Sequence, residues 1–212
     1  MKKLSLLISL GLVMTTLCAC NQSKTQFDDI VAKVNGEKIY RNVIEHEVEL
    51  SAIAHQDAVD YINSTDSLTE VQKTIEFEKL GSPKTFDEAL QEEIELTVLL
   101  CHAEKEGLKV DFDGAREEAT AVYNDLFNSD TSNDGNEQTA KLVKKYMEEN
   151  NLSKKEYIKY LSNIYYRNAM INKLKEHFND ELFNPKSKES FDQQFSKYTE
   201  QLVEDAKIEY KN

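Results

Sequence analysis

The feature that most constrains this chain is a hairpin at one end and an unpaired strand pattern at the other. In IVAKVNGEKIY (30–40), Asn35-Gly36 supplies the two positive-φ positions that a two-residue type I′ turn requires, and Val34 and Ile39 flank it as β-formers. In AKIEYKN (206–212), Ile208 and Tyr210 alternate with charged residues, and no turn follows to pair that segment locally. A strand left alone exposes unpaired backbone groups, as do the edges of an isolated hairpin. The economical solution is a three-stranded sheet joining the two ends of the folded chain.

Between these ends the patterning is helical. Ile44, Val48 and Ala52 fall four apart and predict a helix from about Asn42 to Ala58, with His46, Glu47 and Glu49 on its wetter side. Asn63 to Ser67 reads as a turn. A helix over Leu68 to Leu80 would end at Gly81, and Pro83 blocks its continuation. Thr85-Phe86-Asp87-Glu88 is a capping box, in which a hydroxyl and a carboxylate reciprocally satisfy free amides of the first turn. It opens a helix whose stripe of Phe86, Leu90, Ile94, Val98 and Cys101 is widened by Leu99 and Leu100. Gly107 suits the left-handed residue that closes such a helix, and Leu108 suits the apolar contact beyond it.

Ala115, Ala119, Val122 and Leu126 mark a further helix after Asp111, and Asn128 to Gln138 reads as a loop. A helix over Thr139–Glu149 follows. A second capping box at Ser153-Lys154-Lys155-Glu156 then opens the longest helix, about Lys154 to His177. Its stripe runs through Tyr157, Leu161, Ile164, Tyr165, Ile171, Leu174 and Phe178, with Asn168 as the polar intruder. After a break at Pro185, Ser190 caps a last helix carrying Phe191, Phe195, Tyr198, Leu202 and Ala206. The expected fold class is mainly α, with a small N-terminal β-hairpin paired to a C-terminal strand.

The first twenty residues, MKKLSLLISLGLVMTTLCAC, form a different kind of segment: two lysines, an apolar run of 14 residues from Leu4 to Leu17, then small residues. A membrane span needs about 20 helical residues, so an export signal is the expectation. Leu17-Cys18-Ala19-Cys20 resembles the bacterial lipobox, which implies cleavage after Ala19 and diacylation of Cys20. Cys at the second position of that motif departs from the usual small or β-branched residue. An ordinary secretory signal cleaved after Ala19 or Cys20 is the alternative. Residues 20–29 would then be a lipidated tether, and 30–212 the folded module.

On this reading only Cys101 of the three cysteines stays available, so no intramolecular disulfide forms and the core alone holds the fold. Without Lys2 and Lys3 the balance is 24 basic against 39 acidic residues. Such a charge argues against nucleic acid and against electrostatic adhesion to anionic lipid, leaving membrane attachment to the acyl chains.

No cofactor or metal site is expected. Asp130, Ser132, Asp134 and Gly135 follow the first half of a calcium loop, but Lys141 stands where a bidentate Glu is needed and Glu137 where an aliphatic residue belongs. His46-Glu47 begins a zinc-protease motif that Leu50 breaks. Cys101 reads as a small buried hydrophobe, not a reactive thiol. Tyr160 and Tyr166 lie off the main stripe of the longest helix and are the candidates for lining a binding groove, since tyrosine combines large area with a polar tip.

Four segments carry a family resemblance: VAKVNGEKIYRNVIEHEV, EALQEEIELTVLLCHAEKEGLKVD, LSKKEYIKYLSNIYYRNAMINKL and LVEDAKIEY. In this order they resemble the chaperone module of SurA- and PrsA-type foldases, also found in trigger-factor-like proteins. The resemblance implies that hairpin and terminal strand close together and that crevices between helices hold unfolded or extended exported polypeptide. Those foldases insert a parvulin prolyl isomerase of about ninety residues before the final helix. Here the interval is only about Asn179 to Glu189, so isomerase activity is not implied. The expectation is a non-enzymatic, membrane-anchored extracytoplasmic chaperone; the alternative is an accessory lipoprotein holding one folded partner in a membrane complex.

Overall fold

The computed structural model describes residues 29–128 and 134–211. The expected fold class holds: seven helices and one three-stranded antiparallel sheet make up the described residues. The expected signal segment, Cys20 and all of the expected tether but Asp29 lie outside the described residues, as do Asp130 and Ser132 of the acidic loop.

Strands β1 (Ile30–Val34) and β2 (Glu37–Tyr40) form the hairpin, and β3 (Ile208–Tyr210) pairs with the other edge of β1, giving the order β2-β1-β3. Asn35 and Gly36 have φ of 53° and 100°, the two positive values that a type I′ turn needs. Asn35 also ties the distant strand into place: its amide donates to the Lys207 carbonyl at 2.9 Å, and its Oδ1 accepts from the Lys207 amide at 3.0 Å. Ala32 stands opposite Tyr210, and Val34 opposite Ile208. A register irregularity between Ile30 and Ala32 interrupts the alternation, and Val31 and Ala32 are both buried.

β2 runs directly into α1 (Arg41–Ser64), which continues one and a half turns past the expected end at Ala58. It stops where the Thr65 hydroxyl bonds back to the Tyr61 carbonyl at 2.7 Å. α2 (Glu70–Leu80) begins at a further capping box, Thr69 with Gln72, and ends at Gly81 with φ 69°. α3 (Phe86–Lys105) starts at the Thr85–Glu88 box. Beyond it the Gly107 amide bonds the Glu104 carbonyl and the Leu108 amide bonds the Ala103 carbonyl, each at 3.0 Å. With Gly107 at φ 74° this is a Schellman closure, and Leu108 packs on the cluster containing Ala103.

α4 (Phe112–Asn128), α5 (Asp134–Glu149), α6 (Lys154–Glu181) and α7 (Phe191–Glu204) complete the order. The boxes at Ser153 and Ser190 both form. Two expectations are corrected here. α5 already includes Asp134–Gln138, which the sequence pattern assigns to a loop, and Val122 is 40% exposed, so the buried stripe of α4 rests on Ala115 and Ala119.

α3 organises the interior. Its first half, with Ala89, Ile94 and Val98, packs under the sheet against Val43 and Ile44 of α1. Its second half, with Leu99 and Ala103, meets Met170 and Leu174 of α6. A third cluster joins Val143 and Tyr146 of α5 to Tyr157 of α6. Leu202 of α7 touches both of the first two clusters, so the last helix carries the chain from the α3–α6 layer back to β3.

Candidate functional site

Between α1, α3 and α6 lies an open crevice of about 700 Å³, with one contribution from α4. The volume is that of a ligand site, ordinarily ~300–1,000 Å³. Ile44, Ala89, Leu96, Leu99, Ala169 and Ile171 give it an apolar floor. Glu47, Glu92, Glu93, Glu95 and Glu118 line it with carboxylates, against Lys175 as the one lining cation among the described residues. Asn168 and Asn172, one helical turn apart on α6, and the ring of Tyr165 complete the wall. A short side chain at Ala169 and another at Ala89 keep the space between the helices open.

Helix spacing produces this arrangement. On α3 the apolar stripe that enters the core has Glu92, Glu93, Glu95 and Leu96 beside it, so its edge faces the gap instead of the sheet. On α6 the buried face is Tyr157, Ser162, Arg167, Met170, Leu174 and Phe178, which turns Tyr165, Asn168 and Asn172 toward the gap. The polar intruder in that core is therefore Arg167, 3% exposed, while Asn168 is a crevice residue.

Three ion pairs support the walls. Arg167 Nη2 donates to both oxygens of buried Glu93, fixing α6 to α3. Lys84, just before α3, donates to Glu47 Oε1 of α1 at 2.8 Å and also to Glu92. Burial pushes the Glu47 carboxyl up from its ordinary value against the pull of Lys84.

His46 and Glu47, expected on the wet side of α1, are instead covered. α1 is overlaid near its start by α5, so the Tyr146 hydroxyl bonds His46 Nε2, with the Tyr160 ring 6.1 Å from the imidazole. Burial lowers the His46 pKa to about 4. Tyr146, Tyr157 and Tyr160 stand with ring centroids 5.9–6.1 Å apart, and burial raises all three phenols.

Neither groove candidate from the sequence lines the crevice. Tyr160 belongs to this aromatic cluster with its hydroxyl out of water, and Tyr166 packs on the α3–α6 cluster with the Phe112 ring 5.7 Å away. The tyrosine facing the crevice is Tyr165, which periodicity had placed on the core stripe. Val34, Asn35, Gly36, Ile39, Ile208 and Tyr210 all sit in the sheet and its turn, with Gly107 at the end of α3; they position the helices and take no part in the crevice.

Elsewhere, Cys101 is half-buried and burial pushes its thiol up, which disfavours the thiolate. His102 is bonded to the Tyr198 hydroxyl at 2.6 Å. Among the described residues no group of three or more His, Cys, Asp or Glu could hold a metal ion, and no helix is long and apolar enough to cross a membrane. Comparison of the chain with family models, with curated proteins and with solved structures finds no match.

Proposed function

We propose that this chain is a lipid-anchored extracytoplasmic protein that holds unfolded or extended exported polypeptide in the α1–α3–α6 crevice, without catalysing a reaction on it. The observation that carries the reading is the crevice itself: an apolar floor for side chains, flanked by two amide side chains a turn apart that offer both donors and acceptors to an extended backbone. The four segments that resemble the foldase chaperone module, and the closure of its ends by β1, β2 and β3, support the same reading. The anchor rests on the lipobox-like Leu17-Cys18-Ala19-Cys20. Two acyl chains would hold such a protein stably, where one would not.

The test is suppression of aggregation of an unfolded model protein by the full chain in detergent micelles, compared with Ala169→Trp, which fills the crevice. Suppression by the wild type and its loss in the variant is the expected result. No suppression at several-fold excess, together with stoichiometric capture of one folded protein from membrane extracts, would replace the chaperone reading with that of an accessory lipoprotein. Acyl labelling that persists in Cys20→Ala would refute the anchor.

A further inference from the structure

We infer that the crevice selects segments in which a lysine or arginine stands beside apolar residues, and that Glu47 Oε2 is the acceptor for that cation; this rests on the peptide-holding reading above. Glu47 is 7% exposed and lines the crevice. Its Oε1 accepts from Lys84, but its Oε2 is out of water and has no hydrogen-bond partner among the described residues. Buried carboxylate oxygens are normally satisfied, because leaving one bare forfeits its hydration without replacement. Because Glu47 lines the crevice, a rotation of its carboxyl brings this bare oxygen to the wall, where a donor from outside can reach it.

Charge identifies the donor. Lys84 is shared by Glu47 and Glu92, so two carboxylates divide one ammonium and the trio carries one negative charge in excess. The other nearby cations are engaged: Arg167 with Glu93, and Lys175 over the Phe195 ring at 5.5 Å. Glu118 at the exposed rim enters no ion pair among the described residues and adds to the excess. An incoming ammonium or guanidinium neutralises the trio and satisfies Oε2, while its aliphatic stem lies on the apolar floor near Leu96. A neutral amide could donate to Oε2 but would leave the excess charge uncompensated, and an acidic side chain would do neither.

The measurement is fluorescence anisotropy of the full chain in detergent micelles with two labelled unstructured peptides, alike except that one carries a central lysine among leucines and the other glutamine. The expected result is about tenfold tighter binding of the lysine peptide, the effect of one charge-assisted hydrogen bond. Glu47→Gln should remove most of that gap. Glu118→Gln, at an exposed position where folding is not at stake, should narrow it about twofold, the effect of one rim charge. Equal binding of both peptides overturns the inference and leaves peptide holding intact. A gap that survives both substitutions removes Glu47 from the role, and absence of binding by either peptide overturns the inference together with the holding function.

Discussion

Arg167 reaches from α6 to Glu93 on α3 with a single guanidinium nitrogen 3.0 and 2.9 Å from the two carboxylate oxygens, and both side chains are 4% exposed. The pair joins residues 74 apart in sequence, and its Glu93, which lines the crevice, is also approached by the Thr97 hydroxyl at 3.4 Å. Its worth lies in where it holds the helices, since desolvation of both ions offsets much of their attraction.

Breaking one half of this pair should therefore cost far more than replacing both. Glu93→Gln is expected to destabilise the fold by about 3–5 kcal/mol, because a buried guanidinium loses its carboxylate, whereas Glu93→Leu combined with Arg167→Met should recover most of that loss. Urea denaturation of the three proteins checks this; a single substitution as mild as the double would refute it.

The contrast between Arg167 and the caps marks what a sequence can and cannot reveal. Thr85, Ser153, Ser190, Gly107 and Asn35-Gly36 act through neighbours within a few residues, so their motifs can be read directly, and each forms as expected. The Thr69-x-x-Gln72 box was equally readable and places the α2 start two residues later than Leu68. His46, Glu47, Tyr160 and Tyr165 are different: which side of a helix is wet depends on α5 covering α1 and on the gap between α3 and α6. Periodicity gives a face but not its neighbour, so it put Tyr165 in the core and Tyr160 outside it.

Stability should fall with acid through His46. Burial holds its folded-state pKa at about 4 against 6.5 in the unfolded chain, so the unfolded state takes the proton first. The contribution of neutral His46 is then fully present above pH 6.5, is lost as pH falls toward about 4, and changes no further below that. Once protonated, Nε2 can only donate, to the Tyr146 hydroxyl oxygen. The full loss would be about 3 kcal/mol, and carboxylates titrating in the same range add their own slopes. The stability of wild type relative to His46→Gln should therefore decrease by about 2–3 kcal/mol between pH 7 and pH 4. A difference independent of pH would rule out the shifted histidine.

Asn35 has two separable jobs, a left-handed turn residue and an acceptor for the Lys207 amide. Asn35→Gly keeps the first and removes the second, so the hairpin should persist while β3 loosens by about 1 kcal/mol. Hydrogen exchange is the appropriate readout. The Lys207 and Lys211 amides, which bond Asn35 and Val31, should exchange several-fold faster, with α3 unaffected. Unchanged exchange at both amides would mean that the side-chain bond does not hold the strand.

The two tyrosines that exchange places between sequence and structure give the sharpest separation of packing from binding. Tyr160 contacts Tyr146, Tyr157 and His46, so Tyr160→Ala should open a cavity and cost about 3–5 kcal/mol. Tyr165 is half-buried at the crevice wall, with its phenol raised by burial and by Glu118, and Tyr165→Ala should cost no more than about 2 kcal/mol. If the crevice holds polypeptide, Tyr165→Ala should lose suppression of aggregation several-fold while keeping a cooperative melt. Tyr160→Leu, which refills part of the cavity without a hydroxyl, should retain suppression at temperatures where it stays folded. The opposite pattern, with activity lost in the folded Tyr160→Leu protein and kept in Tyr165→Ala, would move the binding surface to the α1–α5–α6 aromatic cluster.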